Sequence, residues 1–222
     1  MSRNQKLLVF AVILGLTILA CSVTSGNTSS NNTDDSDRSN NVLFQDDFSS
    51  TRSGWDREDY TDAITDYGDD VYRIEILTDQ YIAWATPYQD FTDVVIEVET
   101  YKASGGDDNG FGIICRHVDA DGYYNFYLLE ISSDGYAWIG KYMDEEYENL
   151  EGIDNADVNL GNDTNSLRAE CVGNRLSLYA NGDLLIEAYD SDLTHGDVGL
   201  VAETYDSAST EILFDNFIVT NP

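Results

Sequence analysis

The chain has 222 residues, of which 42 are acidic and only 11 are Lys or Arg, giving a formal net charge of −31. That sign excludes a nucleic-acid partner, because neutralising phosphates needs clustered Lys and Arg. It also disfavours contact with anionic lipid and otherwise marks a solvated, aggregation-resistant surface; salty surroundings or cation binding are the sharper alternatives.

In chain order, Arg3 and Lys6 precede an apolar segment from Leu7 to Ala20. At about 14 residues it is shorter than the roughly 20 a spanning helix needs. A basic start, an apolar centre and a small-residue end have the form of a secretory signal over residues 1–20. Its close, Ile18-Leu19-Ala20-Cys21, resembles the lipobox of bacterial lipoproteins. The resemblance implies cleavage before Cys21, a diacylglycerol on its sulfur and acylation of the new amino group. Two or three acyl chains hold a protein on a membrane where one is marginal. The alternative is an ordinary cleaved signal with Cys21 as a bystander. Loss of residues 1–20 removes two positive charges and no acid, taking −31 to −33. Residues 21–41 are, after Cys21, Ser, Asn, Thr and Asp with one Val, one Gly and one Arg, too polar to offset ordering entropy, so a disordered tether is expected. Its roughly 20 residues have an r.m.s. span of roughly 25 Å. The expected location is the cell envelope, outside the cytoplasm, held to a membrane through the lipid anchor only.

Residues 42–222, about 180 in number, suit one domain with a sizeable core. No window sustains a helical period; β-rich runs recur between turn signals instead. Strands are expected at Val94–Lys102, Phe111–Val118, Tyr123–Ile131 and Tyr136–Tyr142. Three more, "SLRAECV", "RLSLYA" and "DLLIEAY", are joined by Gly173-Asn174 and Asn181-Gly182, pairs that supply the positive φ of two-residue hairpins. "DVGLVAET" and "EILFDNFIV" follow. Ten to twelve strands with short connections predict an all-β antiparallel sandwich. The polar stretch Asp144–Asn165 reads as a long loop.

"VLFQDDFSSTRSGWD", "FGIICR", "YYNFYLLEISSDGYAWIGKY", the hairpin region and the closing "FDNF" strand together resemble the concanavalin A-like (LamG-like) jelly-roll superfamily. More narrowly they are similar to its branch called domain of unknown function 1080, or 3-keto-disaccharide hydrolase. The resemblance covers essentially all of 42–222 and implies a jelly-roll β-sandwich whose first and last strands pair. It says little about activity, since one fold hosts lectins, glycanases, peptidases and adhesive modules.

Cys115 and Cys171 are a disulfide candidate in an oxidising envelope; two buried free thiols are the alternative. If both point inward, alternation places Phe111, Ile113, Leu167 and Ala169 inward with them. Arg116, Arg168, Glu170, Glu97 and Glu99 then face outward, with Asn125, Tyr127, Trp138 and Glu203 as further candidates for contacting a ligand. Aromatic faces beside carboxylates, amides and guanidinium groups suit a sugar, but the same residues make ordinary cross-strand pairs. No catalytic residue is assigned: Glu97-Val98-Glu99 falls short of the glycanase pattern E-x-D-x-E, and neither a G-x-S-x-G elbow nor an H-E-x-x-H occurs. His117 and His195 sit near turns and read as surface residues. Structural Ca²⁺ is the one cofactor candidate, through Asp46 and Asp215 if the terminal strands meet; Asp also simply forms turns. The expectation is a surface lipoprotein whose module binds carbohydrate or another surface polymer. The alternatives are a glycoside-cleaving enzyme of the 3-keto-disaccharide hydrolase type and a structural or adhesive protein.

Overall fold

The computed structural model describes residues 41–120, 122–206 and 208–222. The expected signal segment, Cys21 and the expected tether up to residue 40 lie outside the described residues. Among the described residues fifteen strands run in order: β1 (Val42–Asp46), β2 (Glu58–Asp59), β3 (Ala63–Gly68), β4 (Val71–Ile76), β5 (Tyr81–Ala85). Then come β6 (Val94–Gly105), β7 (Asn109–Ala120), β8 (Tyr123–Ile131), β9 (Tyr136–Met143) and β10 (Glu146–Asp154). The last are β11 (Asn165–Val172), β12 (Arg175–Ala180), β13 (Asp183–Tyr189), β14 (Asp197–Thr204) and β15 (Thr210–Thr220).

They form two antiparallel sheets, as a jelly-roll sandwich requires. One has six strands in the order β10-β9-β8-β7-β14-β5; the other has nine, β13-β12-β11-β6-β15-β4-β3-β2, with β1 also on β15. The first and last strands do pair, Asp46 lying opposite Phe217. A bulge makes room for this. Phe214 and Phe217 are both buried, which strict alternation forbids, and the ladder slips between Asp215 and Ile218 with Asn216 at φ 54°. The extra residue returns Phe217 to the core. Residues before the bulge pair with β4 and those after it with β1.

Between the sheets the expected alternation holds. Phe111, Ile113 and Cys115 of β7 face Leu167, Ala169 and Cys171 of β11 in one buried cluster. Cys115 and Cys171 are bonded, so the disulfide staples sheet to sheet across 56 residues of chain. The hairpin turns also match their residues: Asn181 and Gly182 both have positive φ, whereas in Gly173-Asn174 only the glycine does, the primed geometries two-residue loops favour.

Two expectations need correction. Residues 144–165 are not one long loop, because Glu146–Asp154 forms β10 on the edge of the six-stranded sheet. An edge strand exposed on most of its side chains carries no hydrophobic period. Arg116 does not face outward from a sheet either. The β7–β8 register slips between Cys115 and Val118, Arg116 sits at φ 56°, and its side chain is 2% exposed at the end of the sandwich. There Nη1 donates to the Leu193 carbonyl at 2.8 Å, Nε to the Thr92 carbonyl at 3.3 Å, and Nη2 to Asp93 at 3.3 Å. Asp93 in turn accepts the Gly173 amide, so one guanidinium ties three connections together.

Replacing both Cys115 and Cys171 by Ser should lower unfolding free energy by about 4 kcal/mol on the chain-entropy account, measured by urea denaturation. A loss below ~1 kcal/mol would mean the staple constrains little. Arg116→Ala should cost about 2–3 kcal/mol, the scale of charged hydrogen bonds left unmade, and Arg116→Lys should recover only part because it lacks the fork.

Candidate functional site

The candidate ligand residues fall into separate places. Glu97 and Glu99 of β6 and Arg168 and Glu170 of β11 share the outer face of the nine-stranded sheet, Arg168 directly opposite Glu97. They are spent on one another. Arg168 and Arg175 each bridge Glu170, at 2.6 and 2.8 Å. Asn216 donates to Glu99, and the Arg168 guanidinium lies 5.0 Å from the Tyr179 ring centre. Tyr127 points into the core, where its hydroxyl donates to Asp190 and accepts the Leu193 amide. Asn125 accepts the Asp144 amide. Asp46 and Asp215 use one oxygen each on local turns, to Phe48 and Asn216 amides. Among the described residues no three His, Cys, Asp or Glu side chains converge as a metal site.

Trp138 and Glu203 lie elsewhere, on the outer face of the six-stranded sheet, and this face is unlike its counterpart. Ile114, Phe126, Leu128, Trp138 and Val201 form a second apolar cluster there, flanked by Trp84, Tyr136 and Tyr142. The cause is legible in β8: "FYLL" is a continuous apolar run rather than an alternating one, so the strand is covered on both faces. Within this layer Glu130 is completely buried with neither oxygen hydrogen-bonded. Burial, then the neighbouring Glu203, push its carboxyl well up, countered in part by the Trp138 side chain.

At the β5 edge of that face, a cleft of about 590 Å³ opens between β5 and the short strand β2. Alternation along β5 builds it. Ala83 and Ala85 enter the core, which turns Ile82 and Trp84 outward. Trp84 meets Tyr124 at 5.1 Å and Phe126 at 5.3 Å between ring centres, and His117 stacks on Tyr124 at 5.8 Å. Tyr60 and Tyr88 are exposed at its rim. Across from them Trp55, packed edge-on against Phe217 at 4.9 Å, fixes the segment carrying Asp56. That carboxylate accepts the Thr86 amide at 2.9 Å and the Tyr88 hydroxyl, and the second bond pushes Tyr88 up to about 12.

Glu58, Asp119 and Asp197 also line the cleft, with Trp84, Gln89 and His117 as nitrogen-bearing side chains and no Lys or Arg. Burial raises Asp197 to about 6 against the hydrogen bonds it accepts. Burial lowers His117, so at neutral pH it is an uncharged imidazole, and its Nε2 has no partner. His117 is therefore a half-buried cleft residue rather than the surface residue its neighbouring turn suggests. None of Asp56, Trp84, Tyr88 or Tyr124 was singled out from sequence. The available signal was Trp84 in "YIAWA", where the two alanines claim the core positions. The arrangement suits a hydroxyl-bearing ligand: flat aromatic faces beside carboxylate acceptors, in a volume ordinary for small-ligand sites.

No protein-family model matches the chain, and no curated protein matches its sequence. Solved structures share its fold. The carbohydrate-binding module CBM66 from Bacillus subtilis is 19% identical with a TM-score of 0.59, covering 76% of this chain and 96% of that one. A Bacillus licheniformis beta-glucanase is 10% identical with a TM-score of 0.62, covering 81% and 98%. A Bacillus subtilis protein of unknown function with a galectin-like fold is 11% identical with a TM-score of 0.60, covering 82% and 96%. At such identities the likeness is one of fold alone: this chain has the jelly-roll sandwich on which both carbohydrate-binding modules and glucanases are built.

Proposed function

We propose that this protein is a carbohydrate-binding module, displayed outside the cytoplasm on a lipid anchor at Cys21, and that it holds its glycan in the cleft beside β5. The observation that carries this reading is the cleft wall itself, where Trp84, Tyr88 and Tyr124 present rings beside Asp56 and Asp197. A pyranose stacks its C–H face on such rings and donates hydroxyl hydrogen bonds to such carboxylates. The fold neighbours, among them a named carbohydrate-binding module and a glucanase, support the ligand class. They are less help to the enzyme alternative, the cleavage of 3-keto-glycosides, because no residue of this chain has been matched to that chemistry.

Glycan-array screening followed by titration with the best ligand tests the reading. Trp84→Ala and Tyr88→Ala should each weaken binding by about tenfold, the worth of one aromatic contact. Arg168→Ala, on the other sheet's outer face, should leave binding within a factor of two or so. Binding lost in Arg168→Ala and retained in Trp84→Ala would relocate the site, and no binding to any glycan would favour the adhesive role. The anchor is tested separately: expressed in a bacterium, the protein should partition into detergent and take up labelled palmitate, and Cys21→Ser should abolish both.

A further inference from the structure

Glu130 raises a question the glycan cleft does not absorb. It is 0% exposed and neither oxygen makes a hydrogen bond of good geometry, the donor nearest to acting on it being the Trp138 side chain, and the group acting on it most after burial is a second carboxyl, Glu203. Strand β7 runs between them and offers glycine beside each acid, Gly110 opposite Glu203 and Gly112 opposite Glu130. Tyr205 donates its hydroxyl to Glu203 at 2.6 Å, and no cation acts on either acid. Left alone, a fully buried carboxylate beside a half-buried one, with no counter-charge, is costly to keep ionised, so the resting pair keeps a proton.

The surroundings are aromatic. Trp138 is the cross-strand neighbour of Glu130. Its ring lies over Gly110 so closely that a Cβ there would come within 2.7 Å of it, which is why β7 carries glycine at that point. Tyr205 lies 6.3 Å and Tyr136 5.3 Å from Trp138 between ring centres. Tyr147 of β10 lies over Gly140, and both buried acids disfavour its ionisation. Tyr147 and Tyr205 are 50% and 39% exposed, so the cage reaches solvent. Beside it is a second cleft of about 560 Å³, which Trp138, Tyr136 and Tyr205 share with Asp108, Asp134 and Asp154, and in which no Lys or Arg takes part.

We propose that this cage is a second ligand site, taking the primary ammonium group of a small molecule between Trp138, Tyr147 and Tyr205 and seating it against Glu130 and Glu203. A primary ammonium supplies what the pair lacks, namely donors for the two bare oxygens and a positive charge. Electron-rich ring faces are favourable walls for it. The acids of the neighbouring cleft draw a cation toward the entrance, and Trp138, in contact with both cleft and pair, is the ring that shifts to admit it. The unpartnered oxygens select a primary amine over a quaternary one, which has no N–H to donate.

Seating the cation requires the pair to ionise, so binding expels a proton, and affinity rises with pH until both carboxyls are ionised. Butylammonium is the probe, titrated calorimetrically into the full chain at physiological salt, at pH 5.5 and 8, in buffers of different ionisation enthalpy. Butanol is its uncharged counterpart. The site predicts butylammonium binding at least tenfold tighter at pH 8 than at pH 5.5, release of about one proton at the lower pH, and negligible binding of butanol. Glu130→Gln keeps the shape and should lose the binding tenfold or more together with the proton release, as should Glu203→Gln. Asp183→Asn, which removes an exposed acid from the other sheet, should change neither. Equal binding by wild type and Glu130→Gln, binding without proton release, or no preference over butanol would each overturn the proposal. Because the probe carries no sugar, none of these outcomes depends on the glycan cleft.

Discussion

Cys115 and Cys171 meet between the sheets, and because side chains alternate along a strand, that single covalent contact fixes which residues of β7 and β11 lie outside. The inward set is closed by Phe111, Ile113, Leu167 and Ala169. Everything available for function is therefore on an outer face, an edge or an end of the sandwich. The two outer faces have opposite characters. That of the nine-stranded sheet around β6 and β11 is a lattice in which Arg168 and Arg175 neutralise Glu170. Both arginines reach solvent while the Glu170 carboxylate between them is nearly covered, so the paired charges leave little for a ligand. The face of the six-stranded sheet is covered by rings, and its acids have no Arg or Lys beside them.

That difference follows from strand composition. In the nine-stranded sheet, strands such as β4 and β11 largely alternate apolar and polar, as a half-solvated sheet does. In β8 and β14 apolar residues occupy both faces, so the outer layer needs its own cover, and Trp84, Trp138, Tyr136 and Tyr142 supply it. Glycines at 110 and 140 let rings lie against the strands. Acids placed among rings are far from water, which is why Glu130, Glu203 and Asp197 all hold protons more tightly than surface carboxylates do.

The sandwich was legible wherever local signals agreed. "RLSLYA", Asn181-Gly182 and "DLLIEAY" combine alternation with obligatory turn residues, and β12 and β13 occupy those positions. Strand β10 was not legible because an edge strand bonded on one side needs no buried face. Arg116 was misplaced because one bulge after Cys115 inverts the alternation, and nothing in "CRHVDADG" announces it. The cleft beside β5 was hidden for a different reason: Trp84 and Tyr124 come from non-adjacent strands of the six-stranded sheet and Asp56 from the connection ahead of β2, so no period within one segment brings them together. Glu130 did leave a mark, an acid inside an apolar run, but its meaning depends on Glu203, more than 70 residues away and one strand beyond its neighbour.

The central claim is that ligands meet this protein on the outer face and β5 edge of the six-stranded sheet. Amide and indole chemical-shift mapping with a bound oligosaccharide tests it most directly, since the two candidate faces are on opposite sides of the molecule. The account predicts shifts concentrated at Trp84, Tyr88, His117, Tyr124 and Asp197. Shifts confined to Glu97, Glu99, Arg168 and Tyr179, with the Trp84 indole unmoved, would contradict it.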